Sequence, residues 1–216
     1  MKATPRKSVR WSFEPFLDLF FPRRCLVCRE FLNGSDPLCP PCEAEWPKAE
    51  SRRVLAAGLY KGILHDLVVR MKYGKEERLA AYLGRRMADE IVGAGSSRPY
   101  DFIVPIPLHI DRLRERGFNQ ALLLAREIGK VLDVEVDPFL MVKKRPTPPQ
   151  AALTSEERRK NLKGVFDLKK GASVKDKRIL LVDDVYTTGT TIEEASKILL
   201  SAGAEEVETV VLARAE

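Results

Sequence analysis

The order of apolar segments predicts an α/β fold, a mainly parallel twisted sheet flanked by helices, with a small N-terminal appendage that holds every cysteine. Two observations carry this. From residue 54 to residue 214, segments with helical apolar spacing alternate with short strand-like runs. That alternation builds a parallel sheet through crossover connections. One run, Ile179-Leu180-Leu181-Val182, is continuously apolar, as a strand buried on both faces must be.

Each element follows in turn. Val54–Tyr60 reads as a strand, ended by Gly62. Ile63, Leu64, Leu67, Val68 and Met71 fall at helical spacing, and Leu79–Val92 repeats it through Leu79, Tyr82, Leu83, Met87 and Ile91. Asp101–Pro107 is a short strand that its prolines end abruptly. Asn119–Leu132 is helical, Arg178–Val182 is the buried strand, Ile192–Leu200 is a helix closed by Gly203, and Val207–Leu212 is the last strand. The expected division is a basic tail and cysteine module over residues 1–50 and the α/β domain over residues 51–216.

Composition bounds the function. An apolar share of 44% supports a real core, and a net charge of +6 suits phosphate-bearing partners without demanding nucleic acid. No apolar run is long enough to span a membrane. Phe16–Phe21 is short and interrupted by Asp18, so Trp11–Phe21 reads as an amphipathic segment packed on the domain, with a membrane-surface anchor as the alternative. The chain is expected to be cytoplasmic.

The most informative segment follows the buried strand. It runs Asp183-Asp184-Val185-Tyr186-Thr187-Thr188-Gly189-Thr190-Thr191 and then enters a helix. Ligands of parallel sheets bind beyond the carboxyl ends of strands. A helix N-terminus offers free N–H groups and partial positive charge to a phosphate. Thr187, Thr188, Gly189, Thr190 and Thr191 let the backbone close on an anion and add hydroxyl donors. Asp183 and Asp184 would then face a sugar, as paired acceptors for vicinal hydroxyls. The plain alternative is a turn in which Thr190 or Thr191 caps the helix. Two adjacent carboxylates add nothing to packing there, which favours the ligand reading.

This segment resembles the signature of the type I phosphoribosyltransferases, in which the acid pair holds the ribose hydroxyls and the threonine-rich loop holds the 5′-phosphate. It has neither the lysine of a Walker loop nor the glycine spacing of a dinucleotide fingerprint. Val104-Pro105-Ile106-Pro107-Leu108-His109, with Arg112, Arg114 and Arg116-Gly117-Phe118-Asn119-Gln120, is similar to the ComF family of phosphoribosyltransferase-like proteins. Met71-Lys72-Tyr73-Gly74 also matches that family, as do Arg145, Pro149-Gln150, Arg158, Asn161 and Phe166 of a flexible connector. The resemblance covers nearly all of residues 14–214. It implies a type I phosphoribosyltransferase fold that binds phosphoribosyl pyrophosphate or a related ribose phosphate. Lys72, Arg112, Arg116, Arg145 and Arg158 are then candidates for the diphosphate, which would carry Mg²⁺. The implied role is DNA uptake in natural competence with a helicase-like partner. An active transferase in nucleotide salvage and a single-stranded DNA-binding module are the alternatives. Any transfer would displace pyrophosphate through a cation-like transition state steadied by Asp183 and Asp184. His109 reads as a loop histidine and His65 as structural.

Cys25-x-x-Cys28 and Cys39-x-x-Cys42 account for every cysteine. Two such pairs fit a tetrahedral structural Zn²⁺ site. Thiol-redox chemistry at Cys39-Pro40-Pro41-Cys42 is the rival, weakened by the second matching pair. Between Met141 and Arg178, twelve Lys or Arg face four Asp or Glu. This connector either closes over a diphosphate, binds single-stranded nucleic acid, or is a solvated loop. Phe166 is the one aromatic it offers for base stacking.

Overall fold

The computed structural model describes residues 22–34, 36–49, 54–73, 77–95, 98–147 and 155–215. The amphipathic segment at Trp11–Phe21 and the Pro149-Gln150 pair lie outside the described residues, as does the side chain of Arg158. The chain divides into two compact units, one ending at Ala44 and one running Glu45–Glu216.

In the first unit an antiparallel bridge joins Arg24 to Phe31, and the second cysteine pair opens a short helix, α1 (Pro40–Ala44). The second unit begins with β1 (Leu55–Leu59), α2 (Gly62–Tyr73), α3 (Glu77–Gly93), β2 (Phe102–Pro105), α4 (Ile110–Arg116) and α5 (Gln120–Leu132). It continues with β3 (Met141–Lys143), α6 (Ser155–Leu162), β4 (Phe166–Leu168), β5 (Arg178–Tyr186), α7 (Thr190–Ser201) and β6 (Glu206–Arg214). Four strands form a parallel sheet in the order β1-β6-β5-β2, and β3 and β4 form a separate antiparallel pair.

The sheet is parallel because its strands are joined by helical crossovers, and β5 sits inside it because both of its faces are apolar. Ile179, Leu180, Leu181 and Val182 are fully buried. Side chains alternate between faces. Ile179 and Leu181 join Val104, Ile192, Ala195 and Leu199 in one core, which Leu140, Met141 and Phe166 extend. Across the unit, α3 approaches α5 closely: a Cβ on Gly84 would fall 2.5 Å from Glu127 Cβ. Trp46 belongs to this unit, where its Nε1 donates to the Ala57 carbonyl at 2.7 Å and Tyr82 meets its ring edge-on.

Three expectations change. β5 runs four residues beyond Val182, because β6 continues beside it and pairs Asp183 with Val211, Val185 with Ala213 and Tyr186 with Arg214. The connector contains α6 and β4, and Phe166 is a core residue at 2% exposure, so it offers no stacking platform. His65 is exposed, its Nδ1 3.0 Å from Asp66 Oδ1.

Candidate functional site

Beyond the end of β5 the chain turns through Thr187 and Thr188 to Gly189, which caps α7 from the left-handed region (φ 80°). A cap by Thr190 or Thr191 is therefore not what forms: both lie inside the helix, and no side chain bonds the cap. The N–H groups of a helix's first turn have no partner within the helix, and in α7 they follow directly on the loop. Glycine suits this position, since φ 80° strains any other residue and a Cβ would lie 2.4 Å from Tyr186 Oη. Thr188 Oγ1 and Thr190 Oγ1 share a hydrogen bond at 3.0 Å. The concavity so made is lined by Thr187–Ile192 together with Asp183, Val185, Tyr186 and Leu162.

The acid pair lies within β5 itself. The Asp184 N–H donates to Asp183 Oδ1 at 2.8 Å, and Lys72 from the last turn of α2 brings its Nζ to 3.1 Å from Asp184 Oδ2. Asp183 keeps part of its surface open to solvent. Burial, followed by the neighbouring charge of Asp184, nevertheless pushes its carboxyl up to about 8, against the opposing pull of the Asp184 N–H, Lys72 and Lys143. Lys143, on β3, donates from Nζ to Thr147 Oγ1 at 2.8 Å. Burial holds the Lys143 ammonium below the usual lysine range, with Asp183 opposing that shift and Arg112 adding to it.

The structure thus gathers Asp183, Asp184, Lys72, Lys143 and Arg112 around the end of β5. Arg112 also pairs with Glu115 at 2.8 Å. Arg145 instead donates to the Lys163 carbonyl at 3.0 Å. His109 caps α4, its Nδ1 accepting from the Asp111 N–H at 3.3 Å, a structural task that agrees with its reading as a loop residue. Lys143 escapes sequence reasoning because it is the first of three consecutive basic residues, and only the β3–β4 pairing buries it. Other connector charges are held within the protein: Lys144 by Asp167 at 3.2 Å and Lys177 by Asp101 at 2.9 Å.

In the first unit the four sulfurs of Cys25, Cys28, Cys39 and Cys42 lie within 4.8 Å of one another. Cys28 and Cys39 are 3.5 Å apart, well beyond a disulfide bond, and all four thiols are free. The backbone turns around them: the Cys25 N–H donates to the Glu30 carbonyl, and Cys25 Sγ accepts from the N–H groups of Val27 and Cys39. At Cys25 burial works upward, but those N–H donors outweigh it and bring the thiol down to about 6, while burial pushes Cys42 up to about 12. Convergent sulfurs with N–H donors to sulfur fit a closed zinc site held by all four cysteines.

A parallel strand that carries an acid pair, followed by a threonine-glycine loop at a helix N-terminus, defines a phosphoribosyltransferase-like protein. The phosphoribosyl transferase domain family matches residues 118–216, and the double zinc ribbon domain family matches residues 16–53. With four cysteines in all, the chain has ligands for one four-thiolate site. The chain is 30% identical over 208 residues to the DNA utilization protein YhgH of Escherichia coli (strain K12), covering 88% of this chain and 89% of that one. It is 31% identical over 226 residues to Competence protein F of Haemophilus influenzae, covering 91% and 99%. Competence protein ComFC of Streptococcus pneumoniae is 34% identical over 158 residues, covering 72% and 65%. The chain belongs to the ComF family, with a type I phosphoribosyltransferase fold and an N-terminal zinc-ribbon module.

Proposed function

We propose that this protein binds phosphoribosyl pyrophosphate or a related ribose phosphate at the end of β5 and acts in DNA uptake or utilization on the cytoplasmic side of the membrane. The observation that carries the reading is one concavity in which Asp183 stands beside the Thr187–Thr191 loop. The loop suits a 5′-phosphate, and Asp183 with Asp184 suits the ribose hydroxyls. A diphosphate would bring Mg²⁺ with it, since that ion takes hard oxygen ligands from the substrate. Lys72, Arg112, Arg116, Arg145 and Arg158 remain the candidates to meet that diphosphate, now joined by Lys143. In a transfer, an acceptor base would bond the anomeric carbon as the C–O bond to pyrophosphate breaks and pyrophosphate leaves with the electron pair, with Asp183 and Asp184 beside the positive charge that develops on the ribose. The competence role follows from the relatives' names, and it implies single-stranded DNA and a helicase-like protein as partners. The cysteine module, residues 1–50, is read as a separately stabilised appendage whose zinc supplies much of its folding free energy, on the order of 10 kcal/mol.

Titration calorimetry with phosphoribosyl pyrophosphate and Mg²⁺ tests the site. Saturable heat from the native protein, lost when Asp183 and Asp184 are both changed to Asn, is the expected result. No heat from the native protein would overturn the ligand reading. Pyrophosphate release across a panel of bases then separates binding from turnover.

A further inference from the structure

The chain leaves the sheet at the carboxyl end of β2 and returns at the start of α5, and α4 lies between. The departure point is fixed next to the acid pair. Pro105 pairs with Val182 of β5, and the Ile106 N–H donates to the Val182 carbonyl at 2.8 Å, one residue before Asp183. Residues 107–118 therefore leave from the end of the sheet where ligands of parallel strands bind. They carry Arg112 and Arg116, yet no residue of α4 is buried, so core packing does not hold these arginines in place. Asn119 closes the excursion. Its Nδ2 donates at 3.0 Å to the Ile106 carbonyl, 13 residues back, while its Oδ1 accepts the Ala121 N–H at 3.0 Å as the cap of α5. A serine or an aspartate would cap the helix as well, but the side-chain amide also brings the N–H donor that ties the two ends together.

We propose that Asn119 is a positioning residue whose clasp on Ile106 holds α4 at the carboxyl end of β2 and so presents Arg112 to the diphosphate of a bound ligand. This rests on the ribose-phosphate reading and names what orders the diphosphate side of that site. A loop joined at both ends samples fewer conformations than one fixed at its start alone, so Arg112 loses less freedom when it binds. The charge of Arg112 acts on Lys143, on which Asp183 also acts, which agrees with a place beside the acid pair. The Thr187–Thr191 loop is built from β5 and α7 and does not depend on the clasp.

Titration calorimetry of the full chain with two ligands tests the clasp, each ligand with Mg²⁺: phosphoribosyl pyrophosphate, and ribose 5-phosphate, which lacks the diphosphate. Asn119→Ser keeps a capping oxygen for α5 and loses the amide donor. It should bind ribose 5-phosphate as the native protein does. Phosphoribosyl pyrophosphate should bind it about five- to tenfold more weakly, the worth of one hydrogen bond. Arg112→Met should also weaken phosphoribosyl pyrophosphate, and in the double variant the two losses should not add, because both act through one arginine. The proposal is overturned if Asn119→Ser binds both ligands as the native protein does, weakens both alike, or adds its loss to that of Arg112→Met. In each of those cases the native protein still binds phosphoribosyl pyrophosphate, so the ribose-phosphate reading stands. Where ribose 5-phosphate binds too weakly to measure, the double variant decides. A native protein that binds neither ligand overturns the reading and the clasp together.

Discussion

The two ends of β5 handle charge in opposite ways. At its start Arg178 is buried, with its side chain 8% exposed, yet every face of it is answered. Its Nε donates to Glu206 Oε2 at 2.6 Å and its Nη2 to Glu208 Oε2 at 3.0 Å; another N–H bonds the Arg98 carbonyl, and the guanidinium stacks on Tyr100. Its backbone N–H bonds Asp101, which also holds Lys177. Toward the far end two acids stand on adjacent residues, and the one ion pair described there reaches Asp184. A protein matches charges where it needs only stability. It leaves them mismatched where a ligand completes the set.

That contrast sets the largest expected effect. Arg178→Met takes the guanidinium from half-exposed Glu206 and from Glu208, which keeps the Tyr100 hydroxyl. Breaking a fully buried pair costs about 3–5 kcal/mol; with the glutamates this open to solvent, about 2–3 kcal/mol is expected in urea unfolding, with ligand affinity unchanged.

The next effect has the opposite sign. Asp183 rises from 3.8 to about 8 on folding, so the folded protein binds the extra proton across that window. Stability contributed by this group therefore falls as pH rises from about 4 to about 8. Asp183→Asn removes the penalty. Its unfolding free energy should gain on the native protein between about pH 5 and about pH 8, by roughly 1–3 kcal/mol after discounting for partial solvent access. Its affinity for ribose phosphate should drop at the same time. Equal pH dependence in the two proteins would erase the contrast between the strand ends.

The smallest effect belongs to Asp101, an acid at the matched end. The Lys177 ammonium, followed by the Arg178 N–H, holds its carboxyl below the usual range. Such a group stabilises above its unfolded value, and the contribution is lost as pH falls through the folded one. Asp101→Asn should cost a little stability at neutral pH and nothing in strong acid, read from the same unfolding curves.

Much of this was legible in the sequence because it was local. Ile179–Val182 announces a strand buried on both faces, and the Thr-Gly-Thr run after it announces an anion loop, from neighbouring residues alone. The paired cysteines are local too, although only folding shows their sulfurs converging. What stayed hidden depended on distant partners. β5 extends through Tyr186 because β6 lies beside it. Arg178, read as the first residue of the strand and also counted among the connector's charges, is buried with its charge answered because Glu206 and Glu208 arrive from that same strand. Lys143 differs from Lys144 and Arg145 only through a hairpin the connector conceals. Lys72 meets Asp184 across most of the domain's sequence. Gly189, not a threonine, caps α7, because the turn's positive φ outweighs the usual preference for a hydroxyl cap.

Amide NMR mapping on addition of phosphoribosyl pyrophosphate with Mg²⁺ tests the site most directly. Shifts concentrated at Asp183–Thr191 and at Lys72 would agree with a sugar phosphate seated at the end of β5. Shifts confined to the cysteine module, or none at saturating ligand, would contradict it.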